Sequence, residues 1–279
     1  MLRPRLPRIG LSLRRALHQV PPLTHDFRNG VPGLLSPAGF DMAWTQYQSL
    51  MVEKLNNLTA GGVDESKPPK DILIKYARDP NSAPIFNYAS MAHNNAFFFS
   101  CLSPAPTAIP EVLKKDLEAS FSSIDTLKRE FILTASSMFG PGFVWLVKTR
   151  DRKYSLLATY LAGSPYPGAH YRRQDVDMNT QDDKSLSDYH RRKLRESGAP
   201  VNTVGAHGQF SQRDKLAPGG IDLTPVLCVN TWEHVYLPDY GVGAFGVGGK
   251  KAFVEAWWNT IDWNVVANYA DLKGSKFQT

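Results

Sequence analysis

The run VLCVNTWEHVYLPDY, residues 226–240, places a lone histidine, His234, four residues after Asn230 in an apolar and aromatic setting. Its first part belongs to PVLCVNTW, a short β-rich segment, and the residues that follow are expected to be buried with it. An imidazole in such a setting raises the question of a metal site.

Moving outward, FVWLVKTR and YSLLATYLAG give two further β-rich runs after Gly140-Pro141-Gly142, and the chain before them reads as helix. In FDMAWTQYQSLMVEKLNNLTAGG, Trp44, Tyr47, Met51, Leu55 and Leu58 recur at three- and four-residue spacing, which predicts one long amphipathic helix stopped by Gly61-Gly62. A second helix is expected through IFNYASMAHNNAFFFSCL, a third opened by Pro110, and a fourth capped by the Ser122/Asp125 pair that buries Ile124, Leu127, Phe131 and Ala135. AFVEAWWNTIDWNVVANYADL closes the chain as helix. Helices first and a small sheet with helices afterwards indicate an α+β fold.

Several function classes are set aside on composition. No run approaches the roughly eighteen apolar residues of a membrane span, and two cysteines, Cys101 and Cys228, cannot form a disulfide framework. GVGAFG, residues 241–246, satisfies GxGxxG, but it lacks the strand–turn–helix setting of a dinucleotide site and reads as a flexible loop. His25, His170, His190 and His207 show no metal spacing, and Asp182-Asp183 have no evident partner.

The net charge of +6 is concentrated at the start. Residues 1–20 carry Arg3, Arg5, Arg8, Arg14 and Arg15 and no acid, the composition of a mitochondrial transit peptide, with a basic arm as the alternative. The expected organisation is a targeting segment and extended arm over 1–30, a helical hairpin over 31–104, and a C-terminal α+β domain over 105–279 with an inserted polar region at about 166–222.

The histidine run NTWEHVYLPDY resembles the DxWEHxYxxDY signature of iron and manganese superoxide dismutases. YQSLMVEKLNNL is similar to that family's HHQTYVxxLNNL, IFNYASMAHNNAFFFSCLSP to its FNxxxxxxNHxFYWxxLxP, GPGFVWLV to its GSGWxWLV, and AWWNTIDW to its FWxxxNW. The blocks occur in the family's order from about residue 40 to 270. The resemblance implies a long helical hairpin followed by an α/β domain with a small antiparallel three-stranded sheet, and an aromatic framework that includes Trp232, Trp258 and Trp263.

It also implies where the family's metal ligands fall: Ala43, Asn95 and Asn230 take the place of two histidines and the aspartate, and only His234 is kept. Alanine donates nothing and the two amides are neutral, whereas Mn and Fe need three imidazoles and a carboxylate because they bind weakly in the divalent series. Tyr47, Met51 and Met91 stand where the family gates substrate and holds the solvent ligand. His93 falls on an aromatic packing position and is expected to be a core or interface histidine. No metal, cofactor or catalysis is expected.

The whole resembles the superoxide-dismutase-like proteins of the fungal mitochondrial ribosomal small subunit, which implies a structural role in the matrix beside other small-subunit proteins. An active Mn or Fe dismutase and a free mitochondrial binding protein are the alternatives. Glu233 and His234 resemble the family's dimer contact, although Leu237 replaces its tyrosine, so a related subunit is the expected partner. Ribosomal RNA is a further possible contact, through Arg172 and Arg173 and through Arg191, Arg192, Lys193 and Arg195 of YHRRKLRESG.

Overall fold

A computed structural model describes residues 17–77, 79–149, 151–170 and 223–270. The arm before the first helix lies on the body through Phe27, Val31, Leu34 and Leu35, all buried. Ser36 then caps the short helix α1 (Pro37–Phe40), its hydroxyl accepting from the Gly39 amide. A π-helical segment, Asp41–Gln46, leads into α2 (Tyr47–Thr59). The predicted long helix is therefore one continuous helical run with a wider stretch inside it: the Tyr47 N–H reaches Met42 O, five residues back. Met51 and Leu55 face the core as expected, but Leu58 is 42% exposed and Thr59 takes the inward place, four residues after Leu55 rather than three.

Helix α3 (Pro69–Tyr76) and α2 both pack on α4 (Ala83–Ser100), which carries Phe86, Met91, Phe97, Phe98 and Phe99 into the core. Helices α5 (Glu111–Phe121) and α6 (Ile124–Ser137) follow. The α6 cap lies one residue later than expected. Ser122 ends α5 with φ +68°, and Ser123 accepts from the Thr126 amide. Leu127, Phe131 and Ala135 are buried, and Ile124 packs against the core from a partly buried position.

The three strands form an antiparallel sheet in the order β2-β1-β3, with β1 Gly142–Thr149, β2 Tyr154–Tyr160 and β3 Leu223–Asn230. β1 is the central strand and is apolar throughout its first six residues, as a strand covered on both faces must be. Pro225 is tolerated because β3 is an edge strand, and the register shifts beside it between Leu146 and Val147. Tyr166 and Ala169, past the end of β2, are buried, so the first residues of the polar tract belong to the packed body.

After β3 come α7 (Glu233–Tyr240), α8 (Gly249–Trp258) and α9 (Trp263–Tyr269). The expected closing helix is broken. Asp262 caps α9 by accepting from the Asn264 and Val265 amides, an alternative to helical continuation that a short carboxylate offers. The break is anchored to the end of α4, where Ser103 N–H donates to Thr260 O at 2.7 Å and Asp262 N–H to Cys101 O at 2.8 Å.

One apolar core runs through both halves of the chain, from Phe27 to Ala270. Trp258 and Trp263 pack edge to face at 5.3 Å within it. Trp232 departs from the expected framework: it is only partly buried, and the fully buried tryptophans are Trp145 and Trp257. Phe131, which packs against Trp257 and Trp258, sits at the centre of this cluster. Phe131→Ala is expected to lower the unfolding free energy by about 3–5 kcal/mol in a urea titration. Trp232→Ala should cost less than half as much, and equal losses would contradict its position at the margin.

Candidate functional site

Three regions distant in sequence converge here, the first of them through two adjoining segments. The π-helical segment supplies Ala43, α2 supplies Gln48, α4 supplies Asn95, and the end of β3 supplies Asn230. All four are buried to within 1% of full coverage. In a regular α-helix the Ala43 carbonyl would accept from the Tyr47 N–H. Here that N–H goes to Met42 O, and Ala43 O accepts from Asn95 Nδ2 at 3.1 Å.

The amides form a continuous relay. Asn230 Nδ2 donates to Asn95 Oδ1 at 3.1 Å, Asn95 Nδ2 donates to Gln48 Oε1 at 3.0 Å, and Gln48 Nε2 donates to Ala92 O at 2.8 Å. Its other end is fixed by the Trp232 N–H, which donates to Asn230 Oδ1 at 3.0 Å. Backbone groups at both ends leave each amide one consistent orientation, so the oxygen and nitrogen assignments follow from the network itself.

Gln48 was not singled out in the sequence. Its signal was a polar residue on the buried stripe of α2, between Trp44 and Met51 at four- and three-residue spacing.

His234 stands apart from this relay. Its ring stacks on Tyr47 at 3.9 Å and 21°, with Trp232 tilted beside it at 5.8 Å. Its Nε2 is buried and has no hydrogen-bond partner among the described residues. Burial lowers its pKa from 6.5 to about 4, so the imidazole is neutral at physiological pH.

His93 is also accounted for within the fold. Its Nε2 is 2.8 Å from the Tyr166 hydroxyl, and burial, with a smaller effect of the Lys70 charge, lowers its pKa to about 4. His25 lies 3.5 Å from Asp262, and His170 bonds Pro165 O at 3.0 Å. Among the described residues no group of three or more His, Cys, Asp or Glu side chains could hold a metal ion. Cys101 and Cys228 are free and buried, and burial pushes the Cys101 thiol up to about 12.

Tyr47, Met51 and Met91 meet with Trp232 and Leu161 in the wall of an open cleft of about 950 Å³, whose lining among the described residues holds no Asp, Glu, Lys or Arg. Glu233 is partly buried at the start of α7, and Leu237 packs against the core one turn later. Arg172, Arg173, Arg191, Arg192, Lys193 and Arg195 lie outside the described residues, as do His190, His207 and Asp182-Asp183.

A family profile described as "Iron/manganese superoxide dismutases, C-terminal domain" matches residues 110–172 and 203–269. Small ribosomal subunit protein mS42 of Schizosaccharomyces pombe is 32% identical over 207 residues, covering 72% of each chain. Small ribosomal subunit protein mS43 of the same organism is 28% identical over 258 residues, covering 89% of this chain and 82% of the relative. An iron superoxide dismutase of Escherichia coli is 24% identical over 234 residues, covering 84% of this chain and 88% of the enzyme.

Two measurements probe the centre. Asn95→Ala leaves Asn230 Nδ2 and Gln48 Oε1 buried without partners, and should destabilise the protein by about 1–3 kcal/mol for each in chemical denaturation. Acid provides the second. The unfolded chain takes up a proton on His234 near 6.5 while the folded protein resists until about 4, so stability present above the first value is lost as pH falls toward the second. His93 acts in the same direction. The unfolding free energy should decline across that interval, and His234→Phe, which keeps the ring on Tyr47, should flatten part of the slope.

Proposed function

Since the chain belongs to the iron/manganese superoxide dismutase family, with two small ribosomal subunit proteins among its relatives, we propose that it is a structural component of the mitochondrial small ribosomal subunit. The observation that carries this reading is the relay of neutral amides at the centre of the fold. Asn95 and Asn230 spend their N–H groups on protein acceptors, and the Ala43 side chain has no donor atom. Such a set does not fit Mn or Fe, which require anionic and imidazole ligands in number. His234 alone supplies an imidazole. Ala43, Asn95 and Asn230 are in this reading the replaced ligand positions, and the protein is not a dismutase and takes no cofactor.

Three finer proposals follow the same line. The protein acts in the mitochondrial matrix, reached through an N-terminal leader. That leader lies within the 1–30 targeting segment and extended arm, of which His18 bonds the body: its backbone and ring bond Asn56 Oδ1 at 2.9 and 2.7 Å, and Nε2 bonds Lys67 O at 2.8 Å. Glu233 and His234 face a related superoxide-dismutase-like subunit, the hairpin of 31–104 and the domain of 105–279 forming the paired body. Ribosomal RNA is contacted by Arg172 and Arg173 and by the cluster Arg191, Arg192, Lys193 and Arg195 in the 166–222 region, where arginine forks can grip phosphates.

Sedimentation with metal analysis tests the reading. A tagged full chain expressed in fungal mitochondria is expected to migrate with the small ribosomal subunit, to purify with far less than one Mn or Fe per chain, and to lack dismutase activity. Replacing Arg191, Arg192, Lys193 and Arg195 with glutamine should make the association more sensitive to salt while leaving the fold intact. Stoichiometric metal with superoxide turnover would overturn the assignment.

A further inference from the structure

The outer part of the N-terminal arm is held to the body at one residue. Leu17, Gln19, Val20, Pro21 and Pro22 are exposed, and Leu23 is the first arm residue that packs against the core. His18 alone in that stretch is partly covered, and its backbone and ring make four hydrogen bonds to the body. Among the described residues these are the only polar contacts made by residues 17–22.

The groups around the ring fix the number of protons it carries. Asn56, near the end of α2, is oriented by the arm backbone: its Nδ2 donates to His18 O at 2.9 Å, and its Oδ1 accepts the His18 N–H at 2.9 Å. The same Oδ1 lies 2.7 Å from His18 Nδ1, and Lys67 O lies 2.8 Å from Nε2. Both oxygens can only accept, so both ring nitrogens donate. A neutral imidazole has one donor and one acceptor, whereas the imidazolium has two donors. With a neutral ring, one of the two contacts would set a nitrogen lone pair against an oxygen lone pair. The two distances are those of hydrogen bonds from an ionised donor.

Both acceptors are positioned independently of the ring. Asn56 is carried by α2, and the connection from α2 to α3 is pinned by Asp64, whose carboxylate takes Lys67 Nζ at 2.8 Å and Lys75 Nζ and the Tyr76 hydroxyl at 2.6 Å each. That carboxylate is committed to two cations and a phenol. On α2, Glu53 and Lys54 precede Asn56 and pair with each other at 4.0 Å. From Leu17 to Pro22 the arm has no ionisable side chain besides His18. The cationic ring is therefore held by two neutral oxygens, and the fit depends on its second proton.

We propose that His18 is a proton-dependent latch: as an imidazolium it holds the N-terminal arm on α2 and on the α2–α3 connection, and loss of one ring proton releases residues 17–22. Histidine suits this task because its charge changes between about pH 5 and 8. Release ends at Leu23, and Phe27, Val31, Leu34 and Leu35 beyond it stay buried, so the fold itself is not opened. Residues 1–16, with five arginines and no acid, join the body at this point. The latch decides whether that basic segment departs from a fixed position beside α2 or from a tether lengthened by residues 17–22. It is a property of the isolated chain and requires no partner.

Amide hydrogen exchange of the purified full chain tests the latch. The His18 N–H, bonded to Asn56 Oδ1, reports its closure. After correction for intrinsic rates, its protection should fall at least about tenfold from about pH 6 to about pH 8.5. The Val31 N–H, bonded to Leu35 O in the buried part of the arm, should keep its protection across that interval. The ring nitrogen signals of His18 should show two protonated nitrogens at the lower pH. His18→Phe, which keeps a planar ring without donors, should leave the amide weakly protected at both values. Asn56→Asp, which supplies an anionic acceptor, should extend protection to the higher pH. Equal corrected protection at both values in the unsubstituted chain, a pH dependence that survives in His18→Phe, or a neutral ring at the lower pH with the amide still protected overturns the proposal.

Discussion

A buried polar group left without a partner costs about 1–3 kcal/mol, and the centre of this protein contains three amides far from water. Gln48, Asn95 and Asn230 satisfy one another only as a set, because each uses as its partner a group that the next would otherwise leave exposed. The set also joins α2, α4 and β3, whose contributing residues lie 47 and 135 positions apart in sequence. The helical and sheet-bearing halves therefore share a specific polar join inside a continuous apolar core. A purely apolar filling could supply burial energy, but it would not fix the relative register of three elements in this way.

The join depends on a local irregularity. By sending the Tyr47 N–H to Met42 O, the π-helical turn releases the Ala43 carbonyl for Asn95. It also sets Tyr47 against the His234 ring, with the planes 21° apart. The imidazole lies on an aromatic face and its Nε2 has no partner among the described residues, so desolvation keeps it uncharged. A cation at that position would repel any additional positive charge and would lack a counterion. The neutral ring packs as an aromatic plate against Tyr47 and Trp232, both of which line the cleft.

Much of this was legible in sequence. The three strands fall where FVWLVKTR, YSLLATYLAG and PVLCVNTW place them, because a covered strand needs a short β-rich apolar run and little else. The motif order located Ala43, Asn95 and Asn230 around one point, and the structure brings them together. What escaped were features decided by competition between similar local energies. Nothing in DMAWTQ distinguishes a π turn from an α turn, and at the end of α2 the inward place falls to Thr59, four residues after Leu55, although Leu58 is the more apolar side chain. Ser122 and Ser123 are equivalent as caps until tertiary packing bends the chain at Ser122. Asp262 could have continued a helix, but its carboxylate is taken by two amides while its own N–H holds the end of α4. The role of Gln48 was hidden for a different reason. Its place on the buried stripe of α2 marked it, but what it bonds is set by partners that come from elsewhere in the chain.

Rigidity of the α7 face follows from contacts that sequence proximity would not suggest. Asp239 accepts the Ser36 N–H at 2.9 Å, and the Tyr240 hydroxyl donates to Leu34 O at 2.9 Å, so the end of α7 is tied to the entry of α1 more than 200 residues earlier. Gly39 leaves room for that contact, since a Cβ there would strike the Asp239 carboxylate. On the other flank, Lys250 holds the Met138 and Gly140 carbonyls. The loop of residues 241–249 thus leaves α7 and enters α8 at points fixed from both sides by contacts to segments far away in sequence.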